Sequence, residues 1–137
     1  MKVLVDTSVW SLALCRRKPS PAPEAALLAK IIAGEGEVFV TGLIVQEILR
    51  SASGIETFNR LERLLRPFPC LQPEREDHVA AAHYGNRCRD KGVQLGTIDA
   101  LLAALAIRHD LYLLSTDKDF HHAARFIPLQ ILKAPQS

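Results

Sequence analysis

Four carboxylates, Asp6, Glu47, Asp99 and Asp117, interrupt this sequence where acids are out of keeping with their neighbours. Asp6 cuts the apolar run Val3-Leu4-Val5, and Asp117 follows the run Leu113-Leu114 after two hydroxyl residues. Glu47 falls between Leu43 and Ile44 on a helical wheel rather than with the polar pair Gln46 and Arg50. Asp99 is the only charge in an otherwise apolar stretch from Ile98 to Ile107. Each acid alone has an ordinary account. Asp6 could cap the helix that follows it, and Asp99, beside an N-cap Thr97, could complement a positive helix end. Neither account explains four acids converging on one place.

Two unit charges about 4 Å apart repel by roughly 4 kcal/mol at an effective dielectric of 20, so a carboxylate cluster persists mainly when cations fill it. Oxygen-only ligands favour Mg²⁺ or Mn²⁺ over zinc. Such ions activate water towards phosphate and stabilise the leaving oxygen. Phosphodiester hydrolysis is the chemistry these residues suggest.

The elements that must position the acids follow from hydrophobic patterning. Val3, Leu4 and Val5 show no polar alternation, as in a strand buried on both faces. Further strands are expected over 38–40, 112–114 and 129–132. Helices are expected over 8–14, from 24 to the glycines 34 and 36, over 43–51, and over 55–65 before Pro67 and Pro69. A long amphipathic helix should begin at Pro73 and run through Val79, Ala82 and Cys88 to near Gly92. The next covers 97–109, and a short one 121–124. Strands alternating with helices predict an α/β fold with a parallel sheet. Parallel strands share a carboxyl edge, where open α/β sheets bind ligands, and the acids fall at that edge.

At 137 residues the chain is expected to be a single domain, 1–137. A hydrophobic fraction of 48% with 23% charged residues excludes a disordered chain. The net charge of +2 announces no nucleic-acid binder, so any such site must draw on local positive charge. Cys15, Cys70 and Cys88 are odd in number and outside any CxxC pattern, which reads as reduced thiols in a cytoplasmic protein rather than a zinc site. No run approaches a membrane span, and Asp6 breaks the amino-terminal apolar run too early for a signal peptide.

Four segments together carry a family resemblance: VLVDTSVW at 3–10, LIVQEILR at 43–50, TIDALLAALA at 97–106 and LLSTDKDF at 113–120. In this order they make the chain resemble PIN-domain ribonucleases and, within them, the VapC toxins of bacterial toxin–antitoxin pairs. The resemblance implies a three-layer sandwich, with a central parallel sheet ordered 3-2-1-4-5 and helices on both faces. It further implies an Mg²⁺- or Mn²⁺-dependent endoribonuclease that forms a homodimer and has a VapB-like antitoxin whose tail can occlude the site. Carried over residue by residue, the metal-binding acids are Asp6, Glu47, Asp99 and Asp117. Asp119 is a further acid whose role varies among relatives. Ser8 matches the hydroxyl position after the first acid, and Thr116 is a polar helper.

The basic loop Arg16-Arg17-Lys18, followed by Pro19, Pro21 and Pro23, is less typical of the family. Arg16 and Arg17 follow the first acid closely enough to be candidates for phosphate contact. The adjacent His121 and His122 diverge, and His78 and His83 miss the i, i+4 ligand spacing. Arg87, Arg89 and Lys91 read as a solvated face. Two rivals remain: an α/β phosphatase phosphorylated on Asp6, and an inactive binding module. Such phosphatases usually carry a second Asp two residues on, where this chain has Ser8. Retention of all four acids speaks against the module.

Overall fold

A computed structural model describes residues 1–15 and 20–135. The basic residues Arg16, Arg17 and Lys18 lie outside the described residues.

The chain begins with β1 (Lys2–Val5), α1 (Thr7–Leu14), α2 (Pro23–Ala33), β2 (Glu37–Thr41), α3 (Gly42–Arg50) and α4 (Ile55–Leu65). It continues with β3 (Cys70–Leu71), α5 (Arg75–Asp90), α6 (Thr97–Arg108), β4 (Tyr112–Leu114), α7 (Lys118–Ala123) and β5 (Gln130–Ile131). All five strands are parallel, in the order β3-β2-β1-β4-β5. The chain steps outward from β1 to β3 and, on the other side, from β4 to β5, and such parallel crossovers are right-handed as a rule. They therefore lay helices against opposite faces of the sheet.

The unalternating run at the amino terminus becomes the central strand. Val3, Leu4 and Val5 are fully buried, paired to β2 on one side and to β4 on the other. Strand order reverses between β1 and β4, and the crevice beyond their carboxyl ends is the topological switch point. Trp10, the fourth residue of α1, is buried. Its indole Nε1 donates to the Val5 carbonyl at 3.1 Å, and its ring packs on Phe68 with centroids 5.1 Å apart.

Helix α6 is the other buried element. Ala100 and the five residues from Leu102 to Ala106 are buried, as its all-apolar sequence predicts, although Ile98 in the first turn is 54% exposed. Two carboxyl-terminal caps fix how the neighbouring helices end. After α5 the amides of Gly92 and Val93 donate to the Arg89 and Cys88 carbonyls, with Gly92 at φ +81°. After α6, Asp110 (φ +54°) and Leu111 donate to Ile107 and Ala106 in the same pattern. This is the Schellman arrangement, which needs a left-handed residue just past the helix.

Several expectations are corrected. The two-residue strand β3 lies where prolines were read only as a helix end; its pairing with β2 is reinforced by Val40 N–H donating to the Pro69 carbonyl at 2.9 Å. Helix α5 starts at Arg75 rather than Pro73, because Glu74 is its N-cap and the Glu74 amide donates to Asp77 Oδ2 at 2.8 Å. Its buried face runs through Asp77, Ala81 and Cys88, whereas Val79 and Ala82 are exposed. The face is turned because Asp77 faces inward, where Arg108 Nε and Nη2 grip its two oxygens at 2.6 and 2.9 Å. Burial alone would push the Asp77 carboxyl up, but the Arg108 fork and the Glu74 amide hold it below the usual range. The short helix starts at Lys118 rather than 121, and Asp117 is its cap.

Candidate active site

Each strand that ends at the switch point hands its next residues to the crevice. Asp6 follows β1 directly as the N-cap of α1, but its carboxylate caps nothing. Asp6 Oδ2 instead accepts hydrogen bonds from Ser8 Oγ at 3.0 Å and Ser115 Oγ at 2.8 Å. The helix-capping account of Asp6 is thereby overturned: the side chain is held across the gap to β4 rather than folded onto its own helix.

Ser115, buried at the end of β4, also accepts the Asp117 amide at 3.0 Å. Ser8 Oγ accepts the Thr116 amide at 3.2 Å. These bonds tie the loop after β4 to the loop after β1. Ser115 was not singled out from sequence; Thr116 was, yet its side chain is exposed and it is the Thr116 backbone that reaches the network. Asp117 Oδ1 accepts the Asp119 amide at 2.9 Å and so caps α7.

Glu47 enters from α3, whose N-cap Thr41 accepts the Ile44 amide at 3.2 Å. Its side chain is exposed, not sequestered among apolar neighbours. Leu43 and Ile44 line the same cavity, so the side of α3 that read as apolar is the wall of the cleft. Thr7 Oγ1 donates to Glu47 Oε1 at 3.2 Å, a contact that the sequence pattern did not suggest.

Asp99 lies in the first turn of α6, behind Gly96 rather than Thr97 as the N-cap. Asp6, Glu47 and Asp99 line one cavity of about 140 Å³ that continues inward along Leu102 and Leu105. Burial first, then the charges of Asp6, Asp117, Asp119 and Glu47, raise the Asp99 carboxyl to about 6. Among the described residues none of these five acids forms an ion pair.

The donor set is therefore all oxygen, anionic and unneutralised, which suits a hard divalent cation. Among the described residues no three such side chains converge tightly enough to enclose an ion directly. Mg²⁺ keeps several waters and takes only one or two carboxylates, so the separated acids fit it better than a closed cage would. His121 and His122 lie on α7, and His78 and His83 on α5; none of the four lines this cavity. The three cysteines are free thiols, Cys88 buried and the others exposed. No helix among the described residues is long and apolar enough to cross a membrane.

Comparison with known proteins agrees with this geometry. The family model for the PIN domain matches residues 3–126. The chain is 34% identical over 138 residues to Ribonuclease VapC11 of Mycobacterium tuberculosis, across 93% of this chain and 96% of the relative. The same figures hold for a VapC ribonuclease of Mycobacterium bovis. Among solved structures, VapBC-1 from nontypeable Haemophilus influenzae superposes with a TM-score of 0.73 at 17% identity, covering 96% of this chain and 97% of that one. FitAB bound to a DNA fragment gives 0.76 at 19%, covering 95% and 93%. At these identities the structural likeness is one of fold.

Proposed function

The chain belongs to the PIN-domain family, among its VapC-type ribonucleases, and from that premise we propose that the acid-lined crevice hydrolyses RNA phosphodiester bonds with Asp6, Glu47, Asp99 and Asp117 as its metal-holding acids. The observation that carries this is the meeting of Asp6, Glu47 and Asp99 from separate segments on one cleft at the switch point, with Asp117 near enough to act on Asp99 though outside the cavity lining, and with no cationic partner among the described residues. When bound, Mg²⁺ or Mn²⁺ supplies Lewis-acid stabilisation of the phosphate and a source of hydroxide near neutral pH.

The protein's own contribution is placement. Ser8 and Ser115 occupy Oδ2 of Asp6, and Oδ1 accepts no side-chain hydrogen bond among the described residues. Thr7 steadies Glu47, and the capping bond of Asp117 fixes its orientation. Asp99, its carboxyl raised to about 6 by burial and by the neighbouring acids, is the acid whose negative charge a cation in the cleft would relieve most. Asp119 joins the same field and is a further metal candidate. The aspartyl-phosphate alternative lacks a second acid two residues after Asp6. Ser8 stands there and commits its hydroxyl to Asp6.

The same reading makes the protein the toxin of a toxin–antitoxin pair. The resemblance to VapC toxins supports a VapB-like antitoxin and a homodimer, and the fold likeness to VapBC-1 and FitAB supports the antitoxin. An antitoxin arginine could fill the acidic site by bidentate pairing. Incubation with mixed RNA in Mg²⁺, Mn²⁺ or EDTA, alongside Asp6→Asn, tests the enzyme. Cleavage should need the metal and vanish in the mutant; an unchanged rate in folded, nuclease-free mutant protein would refute the assignment. Expression alone should slow bacterial growth, relieved by a small protein encoded upstream. Harmless expression of active enzyme would indicate a housekeeping nuclease.

A further inference from the structure

A second cleft adjoins the acids, and its chemistry is of the opposite sign. It encloses about 440 Å³ and is lined by Lys91, Gln94, Asp119, His122, Arg125 and Phe126, among others. That volume is within the roughly 300–1,000 Å³ of ligand-binding clefts. One wall is the turn from α5 to α6, which leads into Asp99; the other is α7 and its end, which follow Asp117 and carry Asp119. The two walls are thus continuations of the segments that deliver the acids, and Asp119 belongs to both surroundings.

We infer that this cleft binds the phosphate backbone of the RNA strand next to the bond being cut, with Lys91, His122 and Arg125 as the contacting groups. The inference rests on the reading of the acid site as an RNA hydrolase. Lys91 is the C-cap of α5, and the left-handed Gly92 fixes where that cap stands. The Arg125 guanidinium lies over the Phe126 ring, 5.3 Å from its centroid, which orients the cation before any ligand arrives. Among the described residues neither Lys91 nor Arg125 forms an ion pair, although Asp119 lines the same cleft. Their charge is therefore uncommitted.

A chain of net charge +2 that places acids around its site must attract a polyanion through local positive charge, and this cleft supplies it beside the acids. Its cationic donors suit phosphate oxygens. The guanidinium of Arg125 already covers one face of Phe126, the cleft's one aromatic ring. Contacts of this kind position a strand without reading its sequence.

The test uses Asp99→Asn protein in Mg²⁺ to separate binding from cleavage. Fluorescence anisotropy with a 5′-fluorescein single-stranded RNA of mixed sequence is followed from 50 to 200 mM salt. Adding Lys91→Ala and Arg125→Ala should weaken binding about 10-fold and flatten the log–log salt slope by about 1.4, roughly 0.7 per lost cation. Arg87→Ala, on the exposed side of α5 outside the cleft, should change affinity less than about twofold. In protein with Asp99 intact, the double substitution should raise KM and leave kcat unchanged. An unaltered affinity and salt slope in the double variant overturns the cleft assignment while leaving the hydrolase reading intact, provided the unsubstituted protein cleaves RNA. Absence of cleavage in the unsubstituted protein, with metal present, overturns both. Displacement of RNA by a poly-glutamate peptide as effectively as by unlabelled RNA would mean that the cleft takes an acidic polypeptide, and also overturns it.

Discussion

Ser115 donates to Asp6 Oδ2 at 2.8 Å across the boundary between β4 and β1, so the first acid is positioned by a strand more than a hundred residues away. The same hydroxyl accepts the Asp117 amide, coupling the geometry of two acids through one buried oxygen. Removing it should affect both.

Ser115→Ala is expected to lower cleavage at least about 10-fold and to destabilise the fold by about 1–2 kcal/mol, because a half-buried hydrogen bond to a carboxylate is lost and the Asp117 amide is left unpaired. Thermal melts and single-turnover cleavage check the two effects. Ser115→Thr, which keeps the hydroxyl, should recover most of the activity.

Asp99→Asn should abolish cleavage yet stabilise the metal-free protein by about 1 kcal/mol at pH 7, the figure discounted for solvent screening. The sign follows from a folded carboxyl raised to about 6 against an unfolded value of 3.8. The folded state binds that proton more tightly, so stability attributable to Asp99 falls as pH rises from about 4 to 6 and stays low above it. The Asn variant should lack this slope. Excess Mg²⁺ should stabilise the unsubstituted protein more than the variant. If Asp99 merely complemented the helix end, Asn would instead lower stability by about 0.3–1 kcal/mol, with no difference in metal response.

Asp77→Ala should cost roughly 2–3 kcal/mol, below the usual loss for breaking a buried pair because Arg108 is partly solvated. The Asp77 carboxyl is held below its ordinary value, so its contribution is present above the unfolded value of 3.8 and disappears as pH falls through the folded one. Urea titrations at pH 7 and at successively lower pH values below 3.8 should show the mutant's deficit shrinking with acid. Cleavage per folded molecule should change little.

Thr7→Val should leave stability within about 0.5 kcal/mol, since the Thr7–Glu47 bond is exposed. The Mg²⁺ concentration needed for half-maximal cleavage should rise several-fold as Glu47 loses its anchor. Metal titration of the cleavage rate distinguishes this from a loss of maximal rate.

The short unalternating runs and the isolated acids were legible because both are local signals, whereas the strand order followed only from the family resemblance. Asp6 and Asp99 are conspicuous against the apolar residues around them. Ser115 was not, because β4 is too short and too buried to phase its last residues; nothing local says which of two successive hydroxyls turns towards Asp6. The face of α5 was misassigned for a related reason. Its inward acid is matched by Arg108, 31 residues further on, and a charge pair between helices leaves no periodic trace. Strand β3 is two residues among prolines and gains its identity from pairing with β2. The cleft beneath Arg125 was hidden because Lys91 lies on one segment and His122 and Arg125 on another, and each segment alone reads as solvated charge.

The chain has a single tryptophan, and the fold places it where its emission is informative. Trp10 is sealed from solvent, and its indole is bonded to the carbonyl of Val5, one residue before the first acid. Its fluorescence should therefore be blue-shifted in the folded protein and shift red on denaturation. Any displacement of the Val5–Asp6 junction is transmitted to the indole through one hydrogen bond. The protein carries its own optical reporter, one hydrogen bond from the strand that ends at Asp6, without a label.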